Sequence, residues 1–256
     1  MNKNNLLVRY DKDLRLRMSH PEARKEITND VVRILHRQPG RNVVSFTFAN
    51  ERELHRAIHN EIEYFRPLGR PVTWKVYDHD LLPSLREQLL FHGFIVESAP
   101  TDIMVLDLRK TSGELPERGR VDIRRIDTAD SLMESVRVLD RVWGGDNTWV
   151  DDRLARHLQI PGYLSVHAAY VDGQPASIAW THFPRGHFAK LSAGSTVSEY
   201  RRQGLYTNLL AAAINGIYER RYRYAVIEAN HMNRAILEKR GFQYLTTVQD
   251  YQWKGN

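Results

Sequence analysis

The apolar positions of residues 119–256 change period several times, and each change marks an element. Val121-Asp122-Ile123-Arg124 alternates as a short strand. Leu132, Val136, Leu139 and Val142, three and four apart, predict a helix. Another helix begins near Thr148, where Asp151 and Asp152 suit the positive N-terminal end of a helix dipole. Leu164–Val171 and Ala176–Thr181 flank the turn pair Asp172-Gly173 and predict an antiparallel hairpin. Phe188–Val197 is a further strand that runs into a polar turn. After it, Leu205, Leu209, Leu210, Ala213, Ile214 and Ile217 form one helical stripe. A strand at Tyr224–Glu228, a helix from about His231 to Arg240, and closing strands opened by Gly241-Phe242 complete the series. The series predicts an α/β (α+β) fold, a mixed sheet with helices on its faces.

The first half repeats part of this order. Aligning Gly93-Phe94 with Gly241-Phe242 sets strand Thr73–Tyr77 and helix Leu81–His92 against strand Tyr224–Glu228 and its helix. Upstream, Val43–Phe48 leads into a helix from about Glu51 to Phe65, matching the order at 188–218, but no glycine marks the turn between them. A polar stretch from Lys110 to Gly119 divides the chain near its middle. We expect domains at 1–110 and 120–256, joined by a linker at 111–119.

Composition narrows the class. With 256 residues, 42% hydrophobic and 27% charged, the chain is an ordinary globular one. No apolar run approaches the roughly 18 to 20 residues of a membrane-spanning helix, and the start lacks the apolar stretch of a secretory signal. There are no cysteines, which excludes disulfides, thiolate metal sites and a cysteine nucleophile, and a cytoplasmic location is expected. The net charge of +6 is spread thinly, with an excess of +2 in residues 1–118 and +4 in 119–256, so no nucleic-acid partner is expected. His55 and His59 stand four apart on a predicted helix, but the Glu of a zinc-protease helix is missing between them and no third ligand follows; no metal is expected.

The most informative stretch is Thr196-Val197-Ser198-Glu199-Tyr200-Arg201-Arg202-Gln203-Gly204-Leu205-Tyr206-Thr207. A strand passes through a basic turn with one glycine straight into an amphipathic helix. Unpaired amides of the first helical turn and the positive dipole end make such a turn an anion cradle suited to a pyrophosphate. Gly204 lets a ligand approach the backbone, and Arg201 and Arg202 add charge. A capped helix with a solvated basic turn satisfies the same spacing.

The run resembles the acyl-CoA loop of the GNAT superfamily of N-acetyltransferases: Arg or Gln, two residues, Gly, one residue, then Gly or Ala. Arg201 and Gly204 match, and Tyr206 departs in the last place. The block Ala229–Phe242 also resembles the family's later segment, an Asn after a strand and a helix ending in Glu-Lys-x-Gly-Phe. The likeness covers about residues 119–256, and the first half looks like a degenerate copy without the CoA loop. It implies a tandem, GNAT-like, mostly antiparallel mixed sheet with helices on both faces.

The resemblance further implies transfer of an acetyl group from acetyl-CoA, as cosubstrate, to a small-molecule or peptide amine. Ser195, Thr196 and Val197 would pair with the pantetheine arm, Arg201, Arg202, Gln203, Gly204, Leu205, Tyr206 and Thr207 would hold the pyrophosphate, and Asn230 belongs to the later block. A backbone N–H near Val197 is the expected oxyanion donor. The family's usual acid, a Tyr four residues before the Gly of Gly-Phe, is Leu237 here, which leaves Tyr206 and His231 as substitute candidates and Glu228 as candidate base through water. Trp143-Gly144-Gly145-Asp146-Asn147 falls where the family shapes its acceptor pocket. The rival reading is a non-catalytic acyl-CoA sensor or interaction module.

Overall fold

The computed structural model describes residues 2–37, 42–111 and 121–255, and their side chains except those of Ala193, His231 and Met232. The expected linker falls almost entirely outside the described residues. The chain forms two units, one of Met1–Met104, Ala229–Arg234 and Tyr244–Asn256, the other of Val105–Glu228 and Ala235–Gln243. Among the described residues no helix is long and apolar enough to cross a membrane.

In the first unit a helix α1 (Lys3–Tyr10) runs on into a π-helical segment, Asp11–Leu16. Strands β1 (Ala23–Ile27), β2 (Val31–His36), β3 (Asn42–Thr47) and β4 (Val72–Tyr77) follow, with helix α2 (Leu54–Phe65) between β3 and β4. Helix α3 (Leu85–Phe91) and the short β5 (Ile95–Val96) come next, and β6 (Thr101–Asp107) crosses from this unit into the other. The C-terminal strand β12 (Gln243–Trp253) pairs antiparallel with β4, from Val248↔Tyr77 to Trp253↔Val72, so the order is β1-β2-β3-β4-β12. Leu54, Ala57, Ile58, Ile62 and Phe65 of α2 are all buried, and they pack with Val44, Trp74, Phe94 and Tyr251 on one face of this sheet.

In the second unit β7 (Asp122–Ile126), β8 (Leu164–Val171), β9 (Gln174–His182), β10 (Phe188–Thr196) and β11 (Tyr224–Ala229) lie in the order β11-β10-β9-β8-β7. All neighbours are antiparallel except β10 and β11. Asp172 and Gly173 take φ +49° and +77°, the pair of left-handed residues a two-residue hairpin needs. Helix α4 (Ala129–Trp143) starts at Thr128, whose hydroxyl oxygen accepts from Ser131 N. It and α5 (Thr148–Leu158) bury Leu132, Val136, Leu139 and Leu154 against Val166, Ile178 and Trp180. Helix α6 (Leu205–Glu219) covers the opposite face, with Leu205 and Leu209 on Ala169 and Ala179. Helix α7 (His231–Glu238) closes the order before β12.

Both units carry the same motif: an antiparallel pair, a bulge in its second strand, then a helical crossover to a parallel strand. In β10 two residues, Ala193 and Gly194, face one residue of β9. In β3 the extra residue is Ser45, between Val32↔Phe46 and Arg33↔Val44.

The two bulges are treated differently. In the first unit Arg15 reaches the bulge: its Nε donates to Ser45 O (2.9 Å), and Ser45 Oγ donates to Arg15 O (2.9 Å). Its guanidinium forks onto Asp80 (2.7 and 3.1 Å), meets Asp11 (2.9 Å), and lies 4.0 Å from the centre of the Tyr77 ring. Parallel pairing of β3 with β4 runs from Asn42↔Val72 to Val44↔Trp74, so the guanidinium stands where these strands part. The first unit fills this cleft with its own N-terminal segment.

A buried carboxyl lies in the same unit. Glu61 of α2 faces the sheet, and Arg33 Nη2 is 3.4 Å away. Burial pushes this carboxyl up to about 7, against the pull of Arg33. A carboxyl raised above its unfolded value holds its proton more tightly when folded, so that stability is present below pH ~4.5 and lost as pH rises to about 7. The stability difference between Glu61→Gln and the natural chain should therefore move in the variant's favour by on the order of 3 kcal/mol between pH 4.5 and 8. Urea denaturation at both pH values checks this, and a pH-independent difference would contradict it.

Candidate functional site

The site is built where β10 parts from β11 while staying paired with β9. Among the described residues its parallel pairing with β11 runs from Phe188↔Tyr224 to Leu191↔Ile227, and β10 then continues through its bulge to Thr196. Ser195 is buried opposite Ile178, and its carbonyl accepts from Ser177 Oγ (2.9 Å). Thr196 Oγ1 shares a hydrogen bond with Ser177 Oγ (2.7 Å). The Val197 amide donates to Ala176 O (3.0 Å), so it is engaged with β9. The bulge at Ala193-Gly194, by contrast, takes a residue of β10 out of its ladder with β9.

The turn follows. Ser198–Tyr200 make one 3-10 turn, and Arg201, Arg202, Gln203 and Gly204 are all exposed. Arg201 Nε donates to Thr196 O (3.2 Å), and Gln203 Nε2 to Glu199 O (3.4 Å). Arg202 takes φ +64°, a conformation costly for a non-glycine residue, and Gly204 takes φ +84° as the N-cap of α6. Asn208, buried in the first turns of α6, donates through both N and Nδ2 to Gly204 O (3.0 Å each) and so fixes the helix start. No side chain caps that N-terminus, so exposed backbone with αL residues on either side of Gln203 leads into the helix. Leu205 is buried, whereas Thr207 is half-buried.

Tyr206 turns under β10. A Cβ placed on Gly194 would meet Tyr206 Cε2 at 2.3 Å, so the ring lies against the glycine's backbone. Gly194 has φ +94°. The Tyr206 hydroxyl is buried with no hydrogen-bond partner, and burial pushes its pKa up to about 12. The phenol is thus held in its protonated form across the working range.

Glu228, near the end of β11, receives Lys190 Nζ of β10 at 3.3 Å, both side chains about one-third exposed. Lys190 escaped the sequence reading. The signal was available, since it is the one charged residue in the otherwise uncharged strand Phe188–Thr196. Leu237 is fully buried, so the position of the usual acid is part of the core. Asn230 caps α7, its Oδ1 accepting from Asn233 N (3.1 Å). It belongs to Ala229–Arg234, the segment counted with the first unit, and so does His231, whose side chain lies outside the described residues.

Helix α4 abuts the turn. Arg141 ion-pairs with Glu199, and Val197 and Tyr200 join the α4 core. The following loop is held by Asn147, whose N and Nδ2 donate to Asp140 Oδ1 (3.1 and 2.9 Å), and it leaves Trp143 and Trp149 half exposed. His55 packs edge-on against His92, ring centroids 4.6 Å apart. Among the described residues no group of three or more His, Asp or Glu is placed to hold a metal ion.

No protein-family model matches the chain, and no curated protein matches it in sequence. Solved structures do match. A GCN5-related N-acetyltransferase from Kribbella flavida aligns over 99% of this chain and 95% of its own at a TM-score of 0.69, with 16% identity. A tandem GNAT protein from the clavulanic acid biosynthesis pathway aligns over 94% and 86% at 0.65, with 14% identity. A GCN5-related N-acetyltransferase from Sphaerobacter thermophilus aligns over 89% and 81% at 0.59, with 11% identity. The fold is thus that of the GCN5-related N-acetyltransferases. Its arrangement is the tandem one, a mixed and mostly antiparallel open sheet with helices on its faces.

Proposed function

We propose that the chain is an acetyl-CoA-dependent N-acyltransferase whose working site lies in residues 120–256, residues 1–110 being a degenerate copy that binds no cofactor. The observation that carries this reading is the exposed turn Arg201–Gly204, where a bulged strand feeds an uncapped helix start. Such a turn suits a pyrophosphate, and the adjoining backbone of Ser195–Val197 suits an amide-bearing arm laid beside β10.

In the reaction the lone pair of the acceptor amine attacks the thioester carbonyl carbon, the C–S bond breaks, and the thiolate leaves. The amine loses one proton and the thiolate gains one. Glu228 is the base, through water, and Tyr206, protonated and placed against the bulge, is the acid. Backbone N–H groups of the bulge polarise the carbonyl. Acceptors are small-molecule or peptide amines, and the enzyme works in the cytoplasm. The buried Leu237 favours a second reading, an acyl-CoA sensor without turnover.

Calorimetric titration of acetyl-CoA tests the reading, with one site per chain expected. Gly204→Asp should abolish that site by setting a carboxylate against the pyrophosphate. Unchanged affinity in the variant would mean that the turn is only a helix start.

A further inference from the structure

The family pattern puts a small residue where Tyr206 stands, and here a glycine in the facing strand makes room for the ring. The exchange of sizes across the α6–β10 contact has a chemical consequence. With the pyrophosphate at the Arg201–Gly204 turn, an arm laid beside β10 retraces Val197, Thr196 and Ser195 toward the bulge. At roughly 3.3 Å per strand residue, an extended pantetheine arm covers about five residues and brings its sulfur to that bulge. An acyl chain longer than acetyl, carried on a thioester at that bulge and directed toward α6, would run into the side of Gly194 that faces the helix. Tyr206 occupies that side: its ring carbon lies 2.3 Å from where a Gly194 Cβ would be. The hydroxyl at the far end of the ring is itself buried, so the ring is enclosed along its length.

We propose that Tyr206 sets the length of the acyl chain this site accepts, admitting acetyl and excluding longer straight-chain acyl groups by the bulk of its ring. This rests on the acyltransferase reading and deepens it. The ring and the hydroxyl have separable duties: the ring gauges length, and the hydroxyl supplies the proton.

The test is calorimetric titration of the full chain with free CoA, acetyl-CoA and butanoyl-CoA. The natural protein should bind free CoA and acetyl-CoA, and butanoyl-CoA at least tenfold more weakly than acetyl-CoA. Tyr206→Ala should remove or reverse that preference. Tyr206→Phe, which keeps the ring and removes only the hydroxyl, should keep that preference. If Tyr206→Ala does not fold, Tyr206→Leu, which keeps an apolar contact with Gly194, should show the preference reduced at least threefold. An acetyl-to-butanoyl ratio unchanged in the folded truncation overturns the proposal while free CoA still binds. Failure of free CoA to bind the natural protein overturns the cofactor reading itself, and this proposal with it.

Discussion

Replacing Arg15 with leucine is expected to lower the stability of the first unit by about 3–5 kcal/mol, the cost of removing one partner from a buried ion pair. The guanidinium is 97% buried and charged, because Asp80 and Asp11 outweigh a burial that alone would favour its neutral form. Without it, Asp80 loses its forked partner, Asp11 is left with His79 alone, and Ser45 O loses its donor. The melting temperature should fall by roughly 10 °C. Arg15→Lys keeps the charge but not the fork onto Asp80, and should recover only part of the loss. A loss below about 1 kcal/mol for Arg15→Leu, in urea denaturation of the full chain, would show that the cluster is peripheral to the fold.

Acid probes the same cluster. Burial alone would raise the Asp11 carboxyl, but its hydrogen bond to His79 and the charges of Arg15 and His79 hold it below its ordinary value. A carboxyl lowered in the folded state stabilises above its unfolded pKa, and the contribution is lost as pH falls through the folded value. The Asp11 share of the cluster is therefore present above the ordinary carboxylate range and is lost in acid.

Gly194→Ala is the second substitution with a large expected effect. The new Cβ would overlap the Tyr206 ring, and φ +94° is a conformation that alanine resists. Overpacking and backbone strain together should cost about 2–4 kcal/mol and weaken acetyl-CoA binding at least tenfold as the bulge shifts. Adding Tyr206→Ala relieves the overlap but not the strain, so the double variant should recover stability relative to Gly194→Ala alone. Strict additivity of the two changes would show that ring and glycine do not oppose each other.

Much of the second unit was legible in the sequence. The stripe from Leu205 to Ile217, the Asp172-Gly173 hairpin and the strand at Tyr224 follow from local pattern, and the helix start at Gly204 from a single residue type; the parallel pairing of that strand with β10 appears only in the structure. The elements of residues 2–36 were not legible in the sequence. Val31-Val32-Arg33-Ile34-Leu35 has the apolar density of a strand, but α1 is mostly polar and its Val8 is exposed. What fixes that segment is Arg15 meeting Asp80, a contact across sixty-five residues that leaves no periodic trace. Gly194 was legible in principle, since an isolated glycine inside a strand signals a bulge. Its complementarity with Tyr206 was not, because size matching across a helix–strand contact appears only once both are placed.

The pairing of β4 with β12 bears on how the chain is made. At typical synthesis rates roughly 10 to 30 seconds separate the emergence of Val72–Tyr77 from that of Val248–Trp253. Through that interval the nascent first unit presents β4, with Val72, Trp74 and Val76, as an open apolar edge. It can hold its α2 core in the meantime but not seal it. A ribosome that stops short of Tyr251 leaves β4 as an open edge and the α2 core without Tyr251 and Trp253, so release of such a chain exposes a surface that the full chain covers with its own last strand.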